Sequence, residues 1–116
     1  SPSISTFDIP VKCSTMELGY FRSYTTIGAL KVTIVGVGEY NDEISEEVVT
    51  IIDGLWAENL IITSVADYEI IQLPPGFESF RVTFEILSVE TEKQYNLKPD
   101  PRREDRKFKI VSMGFC

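Results

Sequence analysis

The sequence predicts an α+β fold: a mainly antiparallel, twisted sheet or a partly closed barrel, with the element order β-β-β-α-β-β-β and one covering helix. Two patterns lead to this prediction. Apolar and polar residues alternate over several stretches, as they do in half-buried strands, and one central stretch carries apolar residues at helical spacing. The length of 116 residues and the apolar fraction of 43% suit a single domain covering residues 1–116.

The longest strand signal lies between Leu60 and Val89 and predicts a β-hairpin closed at Pro74-Pro75-Gly76. Its second arm alternates, with Phe80, Val82, Phe84 and Ile86 on one face. Its first arm, residues 60–71, is apolar on both faces. We therefore expect this arm to be a central strand covered on both sides, with a bulge near Ala66-Asp67.

Four further stretches show the alternation expected of strands: Phe7 to Cys13, Met16 to Tyr20, Ala29 to Val37 and Phe108 to Met113. The first contains Pro10, which has no N–H to donate to a sheet, so this strand belongs at an edge or has its proline position facing solvent.

The single helix is predicted after the third strand. Asn41 or Asp42 caps its start, and an apolar stripe follows at three- and four-residue spacing. The members of this stripe are Ile44, Val48, Ile51 or Ile52, and Leu55. A single helix between the third and fourth strands is also the element order of an OB-fold barrel, which remains the alternative architecture.

Residues 90–106 are predicted to form an exposed loop, because Pro99 and Pro101 exclude a helix there. Residues 98–109 carry a local net charge of +3, although the whole chain carries −7 and the remainder therefore −10. This asymmetry predicts a docking segment, residues 93–109, that binds an acidic surface on another copy or on a different protein. The alternative is that this segment is a solvent-exposed connecting loop with no binding role. The candidate partner-binding residues are Lys98, Arg102, Arg103, Arg106, Lys107 and Tyr95.

Several classes of chemistry are disfavoured by composition. The chain has no histidine, which removes serine or cysteine nucleophile systems that depend on histidine and most zinc sites. Gly36-Val37-Gly38 lacks the third glycine of a dinucleotide-binding turn, and acidic residues follow it. The net charge of −7 also argues against general binding of DNA or RNA, which depends on neutralising phosphates.

Carboxylates offer the remaining route to catalysis. The acids at the start of the predicted helix, Glu43, Glu46 and Glu47, suit a solvated first turn better than a cation site. A carboxylate pair drawn from Asp67, Glu69 and Glu85 stays an alternative. We predict no catalytic residue, no cofactor and no metal.

Cys13 and Cys116 lie near opposite ends of the sequence, and a disulfide between them needs Cα atoms within about 7 Å. The chain shows neither a secretion leader nor an Asn-x-Ser/Thr acceptor, so we expect reduced thiols and an intracellular, cytoplasmic location. No apolar run is long enough to cross a membrane. The start at Ser1-Pro2 indicates a processed product or an excised fragment of a longer protein.

These observations predict a non-catalytic protein-interaction or assembly module, a structural protein capable of forming homo-oligomers. Its partner surface would combine an exposed strand edge with the 93–109 segment. The alternatives are a small-ligand-binding barrel or a carboxylate enzyme, and a single-stranded nucleic-acid binder on an OB-like face.

Overall fold

The computed structural model describes residues 4–23, 28–38, 45, 47–54, 64–97 and 108–116. These residues form seven strands and one short helix. In chain order they are β1 (Ile4–Ile9), β2 (Thr15–Ser23), β3 (Ala29–Gly36), β4 (Val48–Asp53), β5 (Ser64–Gln72), β6 (Phe80–Ile86), α1 (Val89–Gln94) and β7 (Ile110–Phe115).

The described strands form two antiparallel sheets, one with the order β1-β6-β3-β4 and the other with the order β5-β2-β7. Side chains from both sheets share one buried cluster, so the core lies between the two sheets. The α+β fold class with twisted antiparallel sheets is confirmed. No closed barrel is formed by the strands described here, and the OB-like alternative therefore does not describe them.

The four-stranded sheet buries the alternating residues that the sequence indicated. Val32 of β3 is fully buried and lies opposite Phe84 of β6 and Thr50 of β4. Residues directly opposite on paired strands share a face, so these rows define the core side of the sheet. β1 lies at one edge of this sheet and ends at Ile9, so the predicted first strand is confirmed for residues 7–9 and wrong for residues 10–13.

The three-stranded sheet is built around β2, which pairs with β5 on one side and β7 on the other. Met16, Leu18 and Tyr20 of β2 point into the core and are nearly inaccessible to solvent. The strands predicted around these residues and around Ile110 are therefore confirmed.

The predicted central helix is wrong where the structure describes it, because residues 48–53 form strand β4. Val48 to Ile52 is an unbroken run of β-branched residues, which lose side-chain freedom in a helix and suit a pleated strand. In β4, Ile52 is buried opposite Leu30 and Val49 is exposed. The other positions of the predicted stripe, Ile44 and Leu55, lie outside the described residues.

The predicted hairpin is also wrong, although its two strands exist. β5 pairs with β2, and β6 pairs with β1 and β3, so the two arms belong to different sheets. The turn at Pro75-Gly76 connects the two layers, and Gly76 adopts φ +87°. β5 is an edge strand of its sheet, and its register with β2 runs through Ala66 without a bulge.

The one helix of the described chain begins at Val89, one residue before the segment 90–106 that was predicted to be a loop, so that prediction is wrong over residues 90–94. Ser88 caps α1, since its Oγ accepts a hydrogen bond from the Thr91 N–H at 3.4 Å. Asn96 adopts a left-handed φ of 61°, and the Leu97 N–H donates to the Glu92 carbonyl at 3.0 Å. This pattern is a Schellman ending. The rest of the predicted loop, residues 98–107, lies outside the described part of the chain.

Cys13 and Cys116 form a disulfide, with their Cα atoms 5.0 Å apart. The expectation of reduced thiols is therefore wrong. Cys116 follows β7 directly, and β7 and the residues after Cys13 pair in one sheet, which brings the two thiols together. No helix in the described part of the chain is long and apolar enough to cross a membrane.

Candidate interaction surface

One edge of the three-stranded sheet is formed by β7. The Cys116 N–H donates to the Thr15 carbonyl of β2 at 3.0 Å. Because successive N–H groups on a strand point to opposite sides, those of Met113 and Phe115 point away from β2. Among the described strands none pairs with this side of β7. The edge therefore presents donors and acceptors that fit another strand.

The side chains of β7 carry no charge, since its sequence is Ile-Val-Ser-Met-Gly-Phe. Val111 and Met113 are exposed to 46% and 40%. Natural sheets usually protect an edge with charged residues, and the uncharged β7 lacks this protection. A register shift beside Gly19 and Tyr20 interrupts the pairing of β2 with β7 at Val111, so the regular part of the edge is residues 112–115.

The opposite edge, on β5, is protected. The Leu73 N–H donates to the Ser14 carbonyl, so it points toward β2. Because successive N–H groups on a strand point to opposite sides, the Tyr68 N–H points away from β2, to the open side. This N–H donates to Oδ1 of Asp67 at 2.8 Å. Asp67 and Glu69 also place two negative charges along this edge. β5 also lies near β4 of the other sheet. A strand from another chain is therefore hindered more at the β5 edge than at the β7 edge.

The outer face of the three-stranded sheet adds an apolar area beside these edges. Tyr68 and Ile70 of β5 are exposed to 60% and 54%. Gly114 lies opposite Glu17, and a Cβ added at Gly114 would meet no atom within 4 Å. The missing side chain leaves a depression of about 190 Å³ next to Ile70 and Glu17. The candidate surface therefore combines unpaired backbone groups on β7 with exposed apolar side chains on β5.

The basic segment meets the sheet at its described end. The Phe108 ring stacks on Tyr20 with centroids 5.5 Å apart, and the Lys109 ammonium lies 5.2 Å from the centroid of Phe21. The Phe21 N–H donates to the Lys109 carbonyl at 3.1 Å. These contacts anchor the chain immediately before β7.

Most of the predicted partner-binding residues lie outside the described part of the chain: Lys98, Arg102, Arg103, Arg106 and Lys107. Tyr95 is described and ends α1 beside Lys31, whose ammonium is 5.7 Å from its ring centroid. Lys31 belongs to β3 of the four-stranded sheet. The hydrogen bond to Tyr95 raises the pKa of Lys31, with smaller contributions from the charges of Glu85 and Glu47. Tyr95 therefore has a partner within the chain and is not part of the β7 edge.

An open cleft of about 830 Å³ lies at the disulfide end of the molecule. Lys12, Phe77, Glu78 and the disulfide line it, and the Lys12 ammonium lies 3.7 Å from the Glu78 carboxylate. Glu78 is the one acid among its described lining residues. This open cleft with one acid differs from the enclosed cavity with converging acids that would favour a ligand-binding barrel or a carboxylate enzyme.

The fold separates Glu85 from the other two acids considered for catalysis, which lie two positions apart on one strand. Asp67 and Glu69 lie on β5, and Glu85 lies on β6 in the other sheet, opposite Lys31. Within the described residues no group of three or more acidic or cysteine side chains is placed to hold a metal ion.

Sequence reasoning located the basic segment and missed the β7 edge. The available signal was the uncharged run from Ile110 to Phe115, which directly follows the most highly charged part of the chain. Whether such a run lies at the centre or the edge of a sheet depends on strand order, which periodicity does not reveal.

Comparison with known proteins adds no family assignment: no family model matches the chain, and no similar curated protein or solved structure was found.

Proposed function

We propose that this chain is a non-catalytic protein-interaction or assembly module that binds a partner strand at the open edge of β7. The observation that carries the proposal is the uncharged edge itself, where the N–H groups of Met113 and Phe115 face away from the sheet. Strand addition takes its affinity from such main-chain groups and its specificity from alternate side chains.

The 93–109 segment supplies the second part of the proposal. It precedes β7 directly and is locally basic, so it attracts acidic side chains near a strand bound at β7. Binding of such a partner weakens as salt rises, because salt screens exposed charges. A variant with Arg102, Arg103 and Arg106 changed to Ala is expected to bind more weakly at low salt and to lose most of this salt dependence.

The disulfide also bears on where the module works. Disulfides persist in oxidising compartments and are rare in the cytosol. We therefore propose an oxidising location, in place of the cytoplasmic one expected from reduced thiols.

Strand addition can be tested by titrating the ¹⁵N-labelled chain with synthetic octapeptides of alternating valine and threonine. A second peptide set carries glutamate in place of the threonines. We expect shift changes and slower hydrogen exchange at the amides of Met113 and Phe115, strongest with the acidic set. The matched control peptide is N-methylated at alternate residues and lacks the donors that a ladder needs.

A Met113→Pro chain is the matched protein control. This change removes an outward N–H and no hydrogen bond to β2, so we expect the fold to be retained. The proposal is overturned if no peptide affects the two amides and the chain also shows no self-association through β7.

A further inference from the structure

The β7 edge is complementary to itself. When two antiparallel strands join their sheets into one, residues on the same face lie opposite each other. For two β7 strands this allows a register in which Met113 faces its counterpart in the second copy and Ser112 faces Gly114. Val111 then lies near Phe115, and no charged side chains oppose each other anywhere along the contact.

We infer that a second copy of this chain occupies the β7 edge, in antiparallel pairing, and that the two three-stranded sheets join into one of six strands. The inference rests on the strand addition in the proposed function and names a second copy as the occupant of the β7 edge, apart from the acidic partner that the basic segment attracts. Met113 would form a hydrogen-bonded pair with its counterpart, because its N–H and carbonyl both face the open side.

The other edge strands do not support the same pairing. Two β5 strands centred on Tyr68 would place Asp67 opposite Glu69, and centred on Glu69 they would place two glutamates opposite each other. Like charges directly opposite across a ladder are destabilising. β4 lies near β5 of the same chain, and β1 carries Asp8, paired with Arg81 at 3.0 Å. β7 is the one edge of the described sheets with neither a charge nor a neighbouring sheet strand.

The whole-chain charge determines how this dimer responds to salt. Each copy carries −7, so the two bodies repel one another. Salt screens this repulsion and leaves the main-chain and apolar contacts of β7 largely unaffected. Dimerisation through β7 is therefore strengthened by salt, opposite in sign to binding that depends on the basic segment.

Register-specific cross-linking tests the pairing. In an antiparallel hydrogen-bonded pair the Cα atoms are about 5.5 Å apart, within the range a disulfide spans. Two Met113→Cys chains, incubated with oxidised glutathione, should form a covalent dimer: their two thiols give up two protons and two electrons to one oxidised glutathione, which becomes two molecules of reduced glutathione. Ile4→Cys is the matched control, because Ile4 is exposed to 59% on the β1 edge of the other sheet. This control should stay monomeric on a non-reducing gel.

Sedimentation velocity of the unmodified chain over a concentration series provides the second measurement. We expect the mass to double with concentration, the transition to shift to lower concentration as salt rises, and Met113→Pro to remain monomeric. Circular dichroism and a thermal melt show whether the Met113→Pro chain is folded. If it is not, Met113→Lys, which adds a charge to the edge and keeps every N–H, is expected to be monomeric instead.

Two outcomes overturn the inference. One is a chain that stays monomeric at every concentration and salt, and the other is cross-linking of Ile4→Cys that equals that of Met113→Cys. If the chain is monomeric and the synthetic peptides still bind at Met113 and Phe115, the second copy is ruled out and strand addition stands. If peptides and second copy both fail to engage β7, the proposed function fails with the inference.

Discussion

Cys13 and Cys116 are joined although 103 positions separate them in sequence. Cys13 precedes β2, and Cys116 follows β7, the strand that pairs with β2. The disulfide therefore ties the end of β7 to the central strand of its sheet, at the same end of the molecule as the open cleft.

Reducing this disulfide should destabilise the chain substantially. A bridge that closes a loop of about 100 residues is worth up to about 4.7 kcal/mol in the chain-entropy model, and removal of native bridges commonly costs about 2–5 kcal/mol. We expect a loss of this size in the free energy of unfolding, measured by urea denaturation with and without a reductant. A double variant, Cys13→Ser with Cys116→Ser, should match the reduced chain and show no further response to reductant. Equal denaturation midpoints for the reduced and oxidised chains would contradict the prediction.

Gly36→Ala should destabilise the contact between β3 and the turn after β5. A Cβ at this position would overlap the Phe77 ring. Overpacking of this kind costs about 1–3 kcal/mol, and combining the change with Phe77→Ala should recover part of the loss. Gly114→Ala is the matched control, because its Cβ meets no atom within 4 Å, and we expect its unfolding free energy to stay within about 0.5 kcal/mol of the parent. A Gly36→Ala chain as stable as Gly114→Ala would refute the packing argument.

Tyr95→Phe should lower the pKa of Lys31. The hydrogen bond to the Tyr95 hydroxyl is the largest cause of the raised pKa of this lysine, and phenylalanine keeps the ring and removes that bond. A raised lysine pKa contributes stability that is fully present below the ordinary value of 10.5 and is lost as the pH rises through the folded-state pKa. NMR titration of the lysine side-chain carbons above pH 9 measures the change. Tyr68→Phe, on the other sheet, is the control and should leave Lys31 unaltered; an unshifted Lys31 in Tyr95→Phe would argue against the bond.

Asp67→Ala should open the β5 edge. The change removes the acceptor of the Tyr68 N–H and one of the two charges along this strand, so we expect faster hydrogen exchange at Tyr68. We also expect association through β5 to appear in sedimentation at high concentration. Glu69→Ala removes a charge and leaves the hydrogen bond, so it separates the two effects: Tyr68 exchange should be unchanged in that variant. Equal exchange rates in both variants would show that the Asp67 side chain does not protect this edge.

Strand positions followed from local pattern. The alternation around Val32, Leu18 and Val82 predicted three strands that the structure contains, because side-chain direction on a strand is a local property of the backbone. The exception is β4. Its apolar residues fit both helical and strand spacing, and the β-branched run from Val48 to Ile52 favours the strand that the structure contains.

Strand pairing did not follow from local pattern. β5 and β6 are neighbours in sequence and join through a turn, yet each finds its partners more than forty positions away. Pairing depends on which layers bury the most apolar surface together, and a short connection suits a crossing between layers as well as a hairpin. The β7 edge could not be predicted for the same reason. Whether an uncharged strand lies at the edge of a sheet depends on which strands pair with it.

The sequence by itself determined the fold class, the positions of most strands, the uneven distribution of charge and the absence of histidine chemistry. These are properties of composition and of short-range periodicity. Only the tertiary structure decided the strand order, the disulfide, and the exposure of β7 beside the protected β5. Each of these depends on contacts between residues far apart in sequence, and the burial of the shared core selects those contacts.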